Sequence, residues 1–256
     1  MGNPTSAEAS ASKTTSAKAT AGKYLKYAIG EILLVVIGIL IALQINNWNE
    51  RRLESAEEQK ILKNLKIDFD NDKRQLETII QTTKTGIDGS LEMLGHTGSK
   101  AKPSTAVKFD SILNSIFISP AYRPVIGTLN EITSSGKLGI IENAELRKLL
   151  ATWPAIIEMV QIRYQETEKN EALLNEFILK NGNWLNADQV SLVERNVTFP
   201  ESGFERDNRV LLSSPYFENL IENVAIGYDN YLTRLNEASQ LLERIEELIK
   251  TELTSD

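Results

Sequence analysis

Between Ala28 and Ile45 the chain reads AIGEILLVVIGILIALQI, and only Glu31 and Gln44 interrupt its apolar side chains. As α-helix these roughly 18 residues extend about 27 Å at ~1.5 Å each, close to the ~30 Å hydrocarbon core of a bilayer. Tyr24 and Tyr27 precede the run and Trp48 follows it. Amphipathic aromatic rings favour the two headgroup layers, so these three side chains are expected to be interfacial anchors. The segment therefore reads as a single transmembrane helix, with a lipid bilayer as its first partner.

A secretory signal peptide is the alternative for an apolar run near the N-terminus. Small residues at the usual cleavage spacing are missing after it, where the chain continues Ala42-Leu43-Gln44-Ile45-Asn46. An uncleaved anchor is the expectation.

Charge is divided unevenly. The chain has 28 Lys+Arg and 35 Asp+Glu, and residues 1–48 hold Lys13, Lys18, Lys23 and Lys26 against Glu8 and Glu31. The remainder is strongly acidic, which repels nucleic acid. Basic flanks on both sides of the apolar run, Lys23 and Lys26 before it and Arg51 and Arg52 after it, leave only a slight orientation bias. The acidic C-terminal part favours a cytoplasmic N-terminus and a periplasmic domain in a bacterial inner membrane. With no cysteine and only His96 as histidine, neither a thiolate nucleophile nor a multi-histidine metal centre can be assembled within one chain. No enzyme activity and no cofactor are expected.

Outside the membrane segment the pattern is helical and the predicted fold class is all-α. Phe217, Ile221, Val224, Tyr228, Tyr231, Leu235, Ala238, Leu242, Ile245 and Ile249 alternate spacings of four and three, a coiled-coil-like heptad seam behind Ser214 and Pro215. A second seam runs from Leu146 through Trp153, Ile157 and Val160 to Leu174 and Ile178, with Asn143 as its cap, Asn181-Gly182 as its stop and a kink expected at Pro154. A third passes through Leu62, Leu65, Phe69, Asp72, Leu76, Ile79, Thr83 and Ile87. No Pro or Gly separates it from Trp48, so the membrane helix is predicted to continue to Leu94 as one rod on the order of 90 to 100 Å long.

Residues 1–22, rich in Ala, Ser and Thr, are expected to be a flexible tail, followed by the membrane helix with its flanks (23–48) and a helical domain (49–256). Met1-Gly2 with Ser6 fits the myristoylation pattern, a coincidence where a membrane helix is already present. Short helices are predicted over 107–118, 125–134 and 187–194, with a linker over 95–106. Three long helices would then pack up-down-up.

The stretch KYLKYAIGEILLVVIGILIALQINNWNE (23–50) closely resembles the opening of a family of membrane proteins from the Bacteroidota whose domain has no assigned function. The similarity extends to TLNEITSSGKLGIIENAELRKLLATW (128–153) and LLSSPYFENLIENV (211–224). The resemblance implies one N-terminal membrane helix and a helical domain, without an activity to carry over. The Ala/Ser/Thr tail departs from the more basic N-termini such a family implies.

Glu31 is the sharpest candidate. At helical spacing it shares a face with Gly38 and Ala42, a small-xxx-small pair that lets helices approach closely. In a homo-oligomer joined along that face, several Glu31 carboxylates would crowd together and could carry protons or ions. The alternative places Glu31 one turn inside the hydrocarbon edge, reaching headgroups or Lys23 and Lys26. Gln44 and Asn47 would line a pore mouth in a ring of helices, or simply meet the interface. Asp88, Glu92 and His96, spaced by four, make a weak metal set, and Ser134-Ser135-Gly136-Lys137 reads as a helix end rather than a phosphate loop. Trp153, Trp184, Tyr228 and Tyr231 suit core packing better than a shared pocket. The expected role is a scaffold, sensor or partner-binding module with a protein partner outside the membrane, and the alternative is a proton- or ion-conducting assembly.

Overall fold

The computed structural model describes residues 11–117, 120–191, 196–204 and 206–254, and side chains for Tyr27 and from residue 29 onward within these. Six α-helices are present among them: α1 (Ala11–Leu94), α2 (Ala106–Ile116), α3 (Gly127–Ser134), α4 (Ala144–Asn181), α5 (Trp184–Asp188) and α6 (Pro215–Thr254). There are also 3-10 turns at Lys137–Ile140 and Asn208–Ser213, and no strand among the described residues. The chain is all-α.

Helix α1 runs unbroken from the predicted membrane segment to Leu94, with no Pro or Gly between Trp48 and Gly86 to interrupt it. It begins within the expected tail, at Ala11. Ala11, Ala17, Ala19 and Ala21 are good helix formers, and extending an existing helix avoids the cost of nucleation. The myristoylation pattern lies outside the described residues.

By internal contacts the chain divides into Met1–Glu57 and Glu58–Asp256. In the second unit the three seams meet. All ten seam residues of α6 are buried, as are Leu62, Leu65, Phe69, Leu76 and Ile79 of α1 and Leu146, Leu150, Trp153, Ile157, Val160, Leu174 and Ile178 of α4. The heptad seam is thus consumed inside the chain's own core, leaving no evidence in it for a coiled coil between copies.

The direction of the helices corrects the up-down-up expectation. Phe69 of α1 packs edge-on against Trp153 of α4, and Glu58 accepts from the Glu142 N–H just before α4, so the two helices run the same way. Helix α6 runs opposite to both, pairing Lys73 with Glu246 and Glu145 with Arg244 near its end and Glu171 with Tyr228 near its start. Residues 95–143 descend between them: Phe109, Leu113 and Ile116 pack with Met93 and Phe217, and Leu129, Ile132 and Ile141 pack with Phe69 and Leu146. This is an up-down-up-down bundle whose second limb is broken. Pro103, Pro120, Pro124 and Gly136 fall within it, the last with φ of 72°, and they keep it from being one long helix.

Caps fall where sequence placed them. Asn143 Oδ1 accepts from Leu146 N at 2.9 Å and Ser214 Oγ from Phe217 N at 3.3 Å. Gly182 follows α4, which continues unbroken through Pro154. The helix expected over 187–194 instead occupies Trp184–Asp188, because Asn183 Oδ1 accepts from Asn186 N and starts it earlier. Residues 192–195 lie outside the described set.

Gly86 of α1 lies close against Tyr228 of α6. A Cβ there would lie 2.7 Å from the ring of buried Tyr228. Gly86→Ala is therefore expected to lower stability by about 1–3 kcal/mol despite alanine's better helix propensity, read as a reduced midpoint in chemical denaturation.

Candidate functional site

Within the first unit, every residue from Ile29 to Ala56 is exposed. Glu31, Gly38 and Ala42 lie on one face of α1 by helical rotation, and apart from the helix's own adjoining backbone no atom of the described residues stands within 4 Å of where a Gly38 Cβ would be. Tyr27 and Trp48 are exposed at the two ends, and the Arg52 guanidinium sits 5.8 Å from the Trp48 ring centroid. The Tyr24 side chain lies outside the described residues. Gln44 and Asn47 are exposed; the Asn47 carbonyl accepts from Arg51 Nε at 3.2 Å, and Asn46 donates to Glu50 at 2.9 Å. These bonds engage the polar end of the apolar run locally.

The second unit holds a polar station that sequence reasoning placed on a seam without recognising its role. Asp72, 1% exposed, accepts from Val125 N through Oδ1 at 2.7 Å, while Oδ2 has no hydrogen-bond partner among the described residues. Burial pushes its carboxyl up to about 6, opposed by the Val125 N–H and reinforced by the neighbouring Asp68 charge. One turn earlier Asp68 accepts from Thr128 N at 3.2 Å, and Gln75 accepts from Arg123 N at 3.2 Å. Three acceptors on one face of α1 thus satisfy backbone donors of the broken limb.

On the opposite side of that limb, Tyr122 N donates to Tyr231 Oη at 3.0 Å, and Tyr231 donates to the Pro120 carbonyl at 3.3 Å. The Tyr122 hydroxyl is buried without a partner among the described residues, and burial, then Asp72 and Tyr231, push its ionisation far above the phenol range. Beside it opens a cleft of about 290 Å³, lined by Tyr122, Arg123, Gln161, Tyr164, Gln165, Glu168 and Tyr231 among others. The Tyr164 and Tyr231 rings stand 5.4 Å apart at 54°. Burial and then the Glu168 carboxylate raise the Tyr164 phenol, with Arg123 near enough to oppose them.

The four aromatic residues singled out in the sequence divide. Trp153 and Tyr231 belong to one core cluster; Tyr228 belongs to the other, against which Trp184 packs. Tyr122 and Tyr164 take the places beside Tyr231. Tyr122 lay in an aperiodic stretch, and its only signal was the flanking Pro120 and Pro124, which hold that stretch extended.

Asp88 and Glu92 lie on α1, but His96 falls beyond its end, its Nδ1 2.5 Å from the Ala101 carbonyl, and Glu92 pairs with Lys108. No group of three His, Cys, Asp or Glu residues suited to a metal occurs among the described residues. Ser134 to Lys137 form the end of α3 and the turn after it.

One helix near the N-terminus is long and apolar enough to cross a membrane, and it leads into an all-α bundle; this fits a single-pass membrane protein. A family model described as a family of unknown function (DUF6090) matches residues 31–211, and the chain belongs to that family. No curated protein and no solved structure matches it.

Because the folded chain holds the Asp72 proton more tightly than an ordinary carboxyl of 3.8, this group favours folding below about pH 4 and loses that contribution as pH rises through about 6. Asp72→Asn keeps an acceptor for Val125 N and removes the titration. Its stability relative to wild type is expected to rise between pH 4 and pH 7, measured by urea unfolding across that range. Asp72→Ala is expected to lose about 1–3 kcal/mol through the orphaned Val125 N–H.

Proposed function

We propose that this is a non-enzymatic single-pass protein of a bacterial inner membrane whose periplasmic helical domain acts as a scaffold, sensor or partner-binding module in a homo-oligomer. One observation carries the reading: α1 is exposed and apolar across its membrane-length segment, yet from Glu58 onward the same helix supplies a wall of the domain's core. Such an arrangement ties the domain to the bilayer without a linker. The Gly38 and Ala42 face supports association of copies, since none of the described residues covers Gly38 and small residues permit close helix contact. The exposed acidic domain and the apolar segment leave a protein outside the membrane as the natural further partner.

Native mass spectrometry in detergent is expected to find an oligomer, and Gly38→Leu with Ala42→Leu is expected to shift it toward monomer. Monomers alone in the wild type would count against the reading. The lack of cysteine makes topology directly measurable: a cysteine at Thr254 is expected to react with a membrane-impermeant maleimide added from the periplasmic side.

A second reading, a proton or ion path, is favoured by Glu31 alone, a carboxylate within the apolar run on the association face. Proteoliposome flux that Glu31→Gln leaves unchanged would sink it.

A further inference from the structure

The cleft beside Tyr122 combines features that core packing does not need. Its volume of about 290 Å³ is at the lower end of the range for small-molecule sites, which suits a ligand of amino-acid size. Three of its walls are tyrosines: Tyr122 and Tyr231 are buried and tied together through the Tyr122 N–H, and Tyr164 meets Tyr231 at an angle. Tyr231 is fully buried behind Tyr164, so the half-buried Tyr164 ring is the aromatic surface the cleft offers, and its face attracts a cation. Arg123 and Glu168, both exposed at the mouth, bring opposite charges to one cleft, where Glu168 hydrogen-bonds the Tyr164 hydroxyl. A guanidinium presents a planar fork of donors that matches a carboxylate.

We propose that this cleft binds a small zwitterion, a molecule joining an ammonium group to a carboxylate, with the ammonium against the Tyr164 ring and Glu168 and the carboxylate on Arg123. A simple cation would meet Arg123 and a simple anion would meet Glu168, so each singly charged ligand gains one contact and suffers one repulsion. The zwitterion alone satisfies both. Gln161 and Gln165, one turn apart on α4, add amide donors and acceptors for the rest of the ligand. The walls are rigid because Tyr231 is fixed at its hydroxyl by Tyr122 N and the Pro120 carbonyl, which lowers the ordering cost of binding. Arg123 lies on the broken limb two residues before Val125, whose N–H Asp72 holds, so ligand contact acts on the segment that α1 pins.

The inference specifies what a sensing domain would detect and rests on that branch of the proposed function. The test is isothermal titration of the full chain in detergent micelles with four probes: glycine betaine and L-leucine as zwitterions, choline and acetate as single charges. At least one zwitterion is expected to bind saturably, with choline and acetate at least about ten-fold weaker, a difference of about 1.4 kcal/mol. Betaine against leucine separates a quaternary from a primary ammonium. Arg123→Ala and Glu168→Gln alter exposed side chains and are each expected to weaken the zwitterion about ten-fold or more with the thermal midpoint unchanged. Absence of binding by both zwitterions, equal binding of all four probes, or wild-type affinity in the folded variants overturns the site. Oligomer size read on the same sample keeps the two proposals apart: loss of the cleft with the oligomer intact refutes the ligand only.

Discussion

A limb of chain that is not helical must still find partners for its backbone amides, and here α1 supplies them. Asp68, Asp72 and Gln75 accept from Thr128, Val125 and Arg123, and Glu58 accepts from Glu142 at the start of α4. Left without those acceptors, the part-buried N–H groups of Val125, Thr128 and Glu142 would lose partners that water only partly replaces. The bundle depends on this row of side chains, because it lets a segment broken by prolines serve as the second limb. That limb in turn closes the core over Phe69 and Trp153 and positions Tyr122 and Arg123 at the cleft.

The same helix answers to two environments. Across the apolar segment its side chains are hydrophobic on all sides apart from Glu31 and Gln44, a pattern that fits lipid contact all round. From Glu58 onward the pattern narrows to one buried stripe with charged residues elsewhere, the signature of a helix packed on one face in water. The change in pattern along one uninterrupted helix makes the anchor and the core wall a single element.

Much of the helical architecture was legible because periodicity reports burial directly. Every residue of the α6 seam proved buried, and Asn143, Ser214 and Gly182 cap or stop their helices through local chemistry that needs no tertiary information. The order of the limbs was not legible. Residues 95–143 carry no long period, so a crossover connection and a fourth limb read alike until Glu58 and Asp72 are seen to hold its two ends. The candidate site was also hidden: Asp72 sat in a seam as an apparent irregularity, and Tyr122 sat in a stretch without pattern.

By itself the sequence determined the all-α class, the membrane-length apolar segment with Glu31, Gly38 and Ala42 on one face, and the three seams, since each follows from spacing along a single helix. Only the tertiary structure decided that the seams close on one another within the chain, that Asp72 meets Val125 across 53 positions, and that Tyr122, Tyr164 and Tyr231 share a cleft. Those contacts join residues far apart in sequence, and no local period encodes which distant groups a buried carboxylate or a tyrosine will meet.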